Sequence, residues 1–223
     1  MIHAVVFDMD GVIIDSEPVY DNWLNLFLKN NEIEISESER KLTHGMSSQD
    51  FIKKVEYWWT RSGKKFRSGK EINLMYEKFC SHFSISFKEI QDPEIAKVMQ
   101  ELKRKKYKIA VASSSSMKHI KHVLKETELE KYVDVVASGE NFRQSKPSPE
   151  IYRFTIDQLG FNNSECIAVE DSTYGIKAAV GAGIKVIAKS DERFGFEQSC
   201  ADYRAEKLIQ VLDIIEAVNS MDN

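Results

Sequence analysis

The chain has 223 residues, 42% of them hydrophobic and 30% charged, enough apolar material for a sizeable core in one large domain or two small ones. Lysine and arginine total 31 against 35 acids, a net charge of −4, which argues against a nucleic-acid partner because such proteins present a strongly basic face. Three cysteines (Cys80, Cys166, Cys200) form no CxxC pair and no even framework, and no apolar run has membrane-spanning or signal-peptide character, so the expectation is a cytoplasmic protein with reduced thiols and no membrane partner.

In chain order, "IHAVVF" reads as a buried strand of a parallel sheet. It runs into Asp8 and Asp10, and Gly11 then supplies a turn at no steric cost. Two carboxylates beside a core need a cation or an exposed strand end. Residues 16–90 change character: "PVYDNWLNLFLKNN", "SSQDFIKKVEYWWTRSG" and "SGKEINLMYEKFCSHF" repeat apolar residues at three and four, and "GMSS" and "RSGKKFRSGK" read as loops. They predict a helical insertion, with Trp58 and Trp59 in its core rather than on a sugar-stacking platform. Four further strands follow in "YKIAVASSSS", "YVDVVASGE", "ECIAVEDS" and "IKVIAKS", interleaved with helices over 93–105, 117–127, 148–159 and 174–181. Alternating strand and helix predicts a doubly wound parallel α/β sheet whose chemistry sits at the carboxyl ends of its strands.

Those ends carry Asp8 and Asp10, then Ser113, then Lys146 in "SKPSPE", then Glu170 and Asp171. Crowded carboxylates repel, and an all-oxygen donor set without histidine or thiol favours Mg²⁺ over Zn²⁺. A lysine and a hydroxyl beside such an ion make a site for a tetrahedral oxyanion, most naturally phosphate, with Asp8 placed to attack phosphorus. Ser114 and Ser115 are alternatives to Ser113, and Ser172 reads as the N-cap of the helix that follows.

The stretches "FDMDGVIIDSEP", "VASSSS", "SKPSPEIY" and "VEDSTYGIKAAVGAGIKVI" resemble the four motifs of the haloacid dehalogenase superfamily, in its β-phosphoglucomutase-like phosphatase branch. The resemblance implies a Rossmann-like core over 1–15 and 91–223 with an all-helical cap over 16–90. It implies a phosphoaspartate on Asp8, with Asp10 as general acid and base. Ser113, Ser114 and Lys146 would hold phosphate. Asp8, the backbone carbonyl of Asp10, Glu170 and Asp171 would hold Mg²⁺. Glu17, Tyr20, His44, Gly45, Ser47 and Ser48 would face a small phosphorylated metabolite from the cap, in a protein expected to be a monomer. An acid at position 10 points to phosphoryl rather than dehalogenase chemistry. The arginine, histidine and lysine of the related mutases are replaced here by Ser48, Tyr20 and Ser116, which favours a phosphatase over a mutase; a catalytically silent phosphometabolite-binding protein is the other alternative.

Overall fold

The computed structural model describes residues 1–46 and 48–221. The chain divides into two compact units, one of residues 1–15 and 87–223 and one of residues 16–86.

The first unit is built on six strands: β1 (Ala4–Phe7), β2 (Lys108–Ser113), β3 (Val135–Ser138), β4 (Cys166–Glu170), β5 (Lys185–Lys189) and β6 (Tyr203–Ala205). All pair in parallel, in the order β3-β2-β1-β4-β5-β6. The chain winds outward one way from β1 and then the other way from β4. Its strand order therefore reverses between β1 and β4, where open α/β sheets form their ligand crevice. The strands of the sheet centre are apolar on both faces, as a sheet covered on both sides requires. One face is lined by small residues, Ala4, Ala110, Ala112, Ala137, Ala168 and Ala188, and these let α7 (Glu150–Leu159) and α8 (Thr173–Gly181) pack closely through Ile151, Tyr152, Ile156, Ile176 and Ala179. The remaining helices of this unit are α5 (Ile95–Arg104), α6 (Met117–Glu126) and α9 (Gln210–Met221), with α5 packed against both β2 and α9.

Two features differ from the sequence reading. The sheet has a sixth strand and a closing helix, β6 and α9, where five strands were expected. Residues 87–90, expected in the insertion, belong with the first unit: the Phe87 N–H donates to Glu126 Oε1 (2.8 Å), its ring packs edge-on to His119 and His122, and the Asp15 N–H donates to the Ile90 carbonyl (2.7 Å).

The second unit is helical: α1 (Glu17–Asn30), α2 (Glu37–Lys41), α3 (Ser48–Arg61) and α4 (Gly69–Cys80). Leu24, Phe27, Leu28, Ile33, Val55, Trp58, Trp59 and Ile72 form its core, so both tryptophans are packing residues. A capping box of Ser68 and Glu71 starts α4. Gly69 allows α3 and α4 to touch, since a Cβ there would stand 2.7 Å from the Ile52 carbonyl oxygen.

Candidate active site

Phe7 is the last paired residue of β1, and Asp8 follows it with its N–H donating to the Val169 carbonyl (2.9 Å). Gly11 then turns the chain with φ +79°, and a Cβ on it would overlap Asp171 Oδ2 at 2.0 Å. Position 11 thus needs glycine twice, for its backbone and for the acid beside it. Lys189, at the end of β5, braces this turn from beneath: its ammonium donates to the Gly11 carbonyl (3.0 Å) and pairs with Asp92 (2.9 Å). Gln198 holds the Asp171 end, donating from Nε2 to the carbonyls of Asp171 (2.6 Å) and Lys189 (2.9 Å).

Lys146 binds the acids together. Its Nζ donates to Asp8 Oδ1 at 2.9 Å, to Glu170 Oε1 at 2.6 Å and to the Ala112 carbonyl at 3.0 Å, which uses all three ammonium protons. Asp8, Lys146, Glu170 and Asp171 are all buried, and Glu170 is wholly so at 0% exposure. Burial, then the Glu170 carboxylate, push Asp8 up to about 7; Lys146 opposes the rise and Asp10 adds to it. Burial pulls Lys146 down, but the carboxylates of Asp8 and Glu170 win and hold its ammonium above its ordinary range.

Asp8, Glu170 and Asp171 each offer an oxygen within 4.8 Å of the others. Three buried carboxylates lie together and one ammonium pairs with two of them, so negative charge is left over, and the donors are all hard oxygens. That donor set fits Mg²⁺. The Asp10 carboxylate is not in that group; its Oδ2 accepts from the Ser115 hydroxyl at 3.2 Å.

The four serines of the β2 turn separate into distinct jobs. Ser113 Oγ is buried and accepts from the Ser115 N–H (3.1 Å). Ser114 is half-buried and backs onto Gly139, where a Cβ would meet the Ser114 Cα at 2.9 Å. Ser115 reaches Asp10, and Ser116 caps α6 by accepting from the His119 N–H. Ser172 caps α8 through the Gly175 N–H (3.0 Å).

The residues expected on the helical unit form their own cluster. Glu17 Oε1 accepts from the Gly45 N–H (3.1 Å). His44 is buried, with Nε2 3.3 Å from Asp21 Oδ1, and the Arg40 guanidinium grips both Asp21 oxygens (2.7 and 3.0 Å). Burial lowers His44 against the opposing pull of Asp21. Tyr20 stacks at an angle on Trp23, Ser48 opens α3, and Ser47 lies outside the described residues. Sequence reasoning passes over Asp21 and Arg40, whose pairing is tertiary. It also passes over Tyr152, Lys189, Gln198 and Gly175, all of which touch the site's residues or backbone.

The sequence pattern of haloacid dehalogenase-like hydrolases matches residues 5–189. The chain belongs to that family. It is an enzyme of the phosphoric monoester hydrolase class. It is 28% identical to the phosphorylated carbohydrates phosphatase of Thermotoga maritima over 188 residues, covering 82% of this chain and 83% of that one. It is 30% identical to hexitol phosphatase B of Escherichia coli over 201 residues, covering 86% and 87%. Its fold matches the β-phosphoglucomutase of Clostridium difficile with a TM-score of 0.77, at 22% identity and 99% coverage of both chains.

Proposed function

We propose that this haloacid dehalogenase-like hydrolase is an Mg²⁺-dependent phosphatase of small phosphate monoesters, sugar or sugar-alcohol phosphates, working through a phosphoaspartate on Asp8. The observation that carries the proposal is the buried cluster of Asp8, Lys146, Glu170 and Asp171 at the carboxyl ends of β1 and β4. The relatives named for carbohydrate and hexitol phosphates support the substrate class.

Asp8, Glu170 and Asp171, with the Asp10 backbone carbonyl, would hold the cation. When bound, it would screen the phosphate's charge from the Asp8 carboxylate. Asp8 then attacks phosphorus, an Asp8–phosphorus bond forms, and the bond to the ester oxygen breaks. Asp10 gives its proton to that leaving oxygen, so the alcohol departs neutral. A water next attacks phosphorus, yields a proton to Asp10, and frees Asp8 with release of inorganic phosphate. Lys146 offsets charge on Asp8 and on the phosphoryl oxygens, and Ser113 and Ser114 line the phosphate site beside it. We propose further that Glu17, Tyr20, His44, Gly45, Ser47 and Ser48 of the helical unit set selectivity for the alcohol portion. We place the enzyme in the cytoplasm as a monomer.

Phosphate release from a panel of sugar and hexitol phosphates tests this, with Mg²⁺ or EDTA, for wild type and Asp8→Asn. Mg²⁺-dependent release that disappears in Asp8→Asn is expected. Release that survives the substitution removes the Asp8 mechanism, and an isomeric sugar phosphate in place of inorganic phosphate makes the protein a mutase.

A further inference from the structure

Tyr152 has no part in the chemistry above, yet its hydroxyl is buried against the acids that carry it. It lies in the first turn of α7 with its side chain wholly enclosed. A buried phenol O–H costs free energy unless it finds a partner. Here it donates to Glu170 Oε1 at 2.5 Å, and the ring carries the Lys146 ammonium 5.2 Å from its centroid.

The same Glu170 oxygen accepts from Lys146 at 2.6 Å. Two donors fill the two lone-pair directions of Oε1. The capacity left on Glu170 is on Oε2, which has a long contact of 3.5 Å with the Ser172 hydroxyl; Gly175 lies against the whole carboxylate, a Cβ there standing 2.0 Å from Oε2 and 2.1 Å from Oε1. The terminal torsion of a glutamate is soft and nearly two-fold. Its two oxygens are equivalent, so what its hydrogen bonds fix is the angle of the carboxylate plane. Lys146 alone does not decide it, because a flexible ammonium follows either oxygen, whereas the tyrosine hydroxyl sits on a rigid ring clamped between α7 and the sheet.

The geometry points to Tyr152 as a positioning residue that fixes the Glu170 carboxylate, keeping Oε1 for Lys146 and leaving Oε2 as the oxygen Glu170 offers a divalent cation. This rests on the cation-dependent reading of the site. It predicts that removing one hydroxyl, which touches neither phosphate nor cation, weakens cation binding.

The test is Mg²⁺ affinity by calorimetry and Mn²⁺ affinity by electron paramagnetic resonance, on wild type and Tyr152→Phe, without substrate. Phenylalanine keeps the ring under Lys146 and loses only the donor. Groups that orient metal ligands are worth roughly 10–100-fold in affinity, and a loss of that size is expected. A variant with para-aminophenylalanine at 152 restores a donor and should bind as wild type does. If the phenylalanine variant does not fold, the amino variant is compared with wild type alone, and a tenfold loss there overturns the inference. Thermal unfolding in EDTA is recorded alongside: a lower melting temperature with unchanged cation affinity makes Tyr152 a packing residue and overturns it too. Wild type that binds neither ion brings down the cation reading itself, whereas wild type and Tyr152→Phe binding equally well bring down only the positioning role.

Discussion

Gly175 and Glu170 face each other across the turn from β4 into α8 so closely that a Cβ at 175 would stand 2.0 Å from Glu170 Oε2. Alanine is the better helix former by about 1 kcal/mol, so Gly175→Ala should gain helix stability while pushing the carboxylate off Lys146. Displacement on the ångström scale in a catalytic array costs on the order of 100-fold in rate. We expect kcat/KM for phosphate release to fall by that order, and the melting temperature to fall with it because a buried ion pair is disrupted. Full activity would mean that Glu170 can move without consequence.

The metal-free enzyme should be stabilised by losing its proposed nucleophile. Asp8 rises to about 7 in the fold from an ordinary 3.8, chiefly through burial and the Glu170 charge. The native state then holds that proton more tightly than the unfolded chain does. Stability therefore falls as pH rises between those two values, and the penalty is complete above the upper one. In EDTA near pH 8, Asp8→Asn should be more stable than wild type by roughly 2–4 kcal/mol, with the gap closing towards pH 3. Added Mg²⁺ should raise the melting temperature of wild type and not that of the variant. If the variant is the less stable one in EDTA at pH 8, Lys146 compensates Asp8 fully.

Asp134 titrates in the opposite sense. Burial would raise it, but hydrogen bonds from Lys103 (2.7 Å), the Ile109 N–H (2.9 Å) and Lys108 (2.9 Å) prevail and hold it below its ordinary value. Its stabilisation is present above the unfolded value and is lost as pH falls through the folded one. Asp134→Asn should cost roughly 1 kcal/mol at neutral pH, because the residue is exposed and water screens its lysine pairs, and nothing in strong acid, judged by urea midpoint. A pH-independent cost would assign the effect to packing.

The two adjacent tryptophans should respond in an order that burial alone does not give. Trp58 is wholly buried, and its indole N–H has no hydrogen-bond partner among the described residues. Trp59 is slightly less buried, and its N–H donates to the Lys65 carbonyl at 2.9 Å. Replacing Trp58 by phenylalanine removes an unsatisfied donor along with the packing, whereas at Trp59 a hydrogen bond is lost as well. Trp58→Phe should therefore be milder by roughly 1–2 kcal/mol. The reverse order of unfolding midpoints would contradict this.

What the sequence displays of this fold follows from where burial is two-sided. The central strands are unbroken apolar runs ended by a polar turn, so both they and the acids that close them can be read directly. The edge strand Tyr203–Ala205 has three residues, one of them Arg204, and presents no such run. α2 buries nothing, so only its cap at Ser36 marks it. α9 carries the helical spacing Val211, Ile215, Val218, but no chemistry-bearing strand end draws attention to it. Within the site, Lys146 is legible from its motif, whereas Tyr152 sits beside Ile151 and reads as core. Its bond to Glu170 depends on how α7 lies against the sheet, which local sequence does not encode. The serine run is illegible for a simpler reason: four identical residues take their separate directions from the backbone beyond the end of β2.

β1 lies between β2 and β4, paired to residues 108–111 on one side and 166–169 on the other. The Asp8–Lys146 contact spans 138 positions. During synthesis the first strand made thus waits through more than half the chain before both of its edges are covered. The helical unit, whose residues 16–86 are contiguous, can close soon after it leaves the ribosome. A nascent chain that has emerged as far as residue 100 would carry a finished helical unit and an unpaired, strongly apolar strand. That interval is when this protein would most need a chaperone.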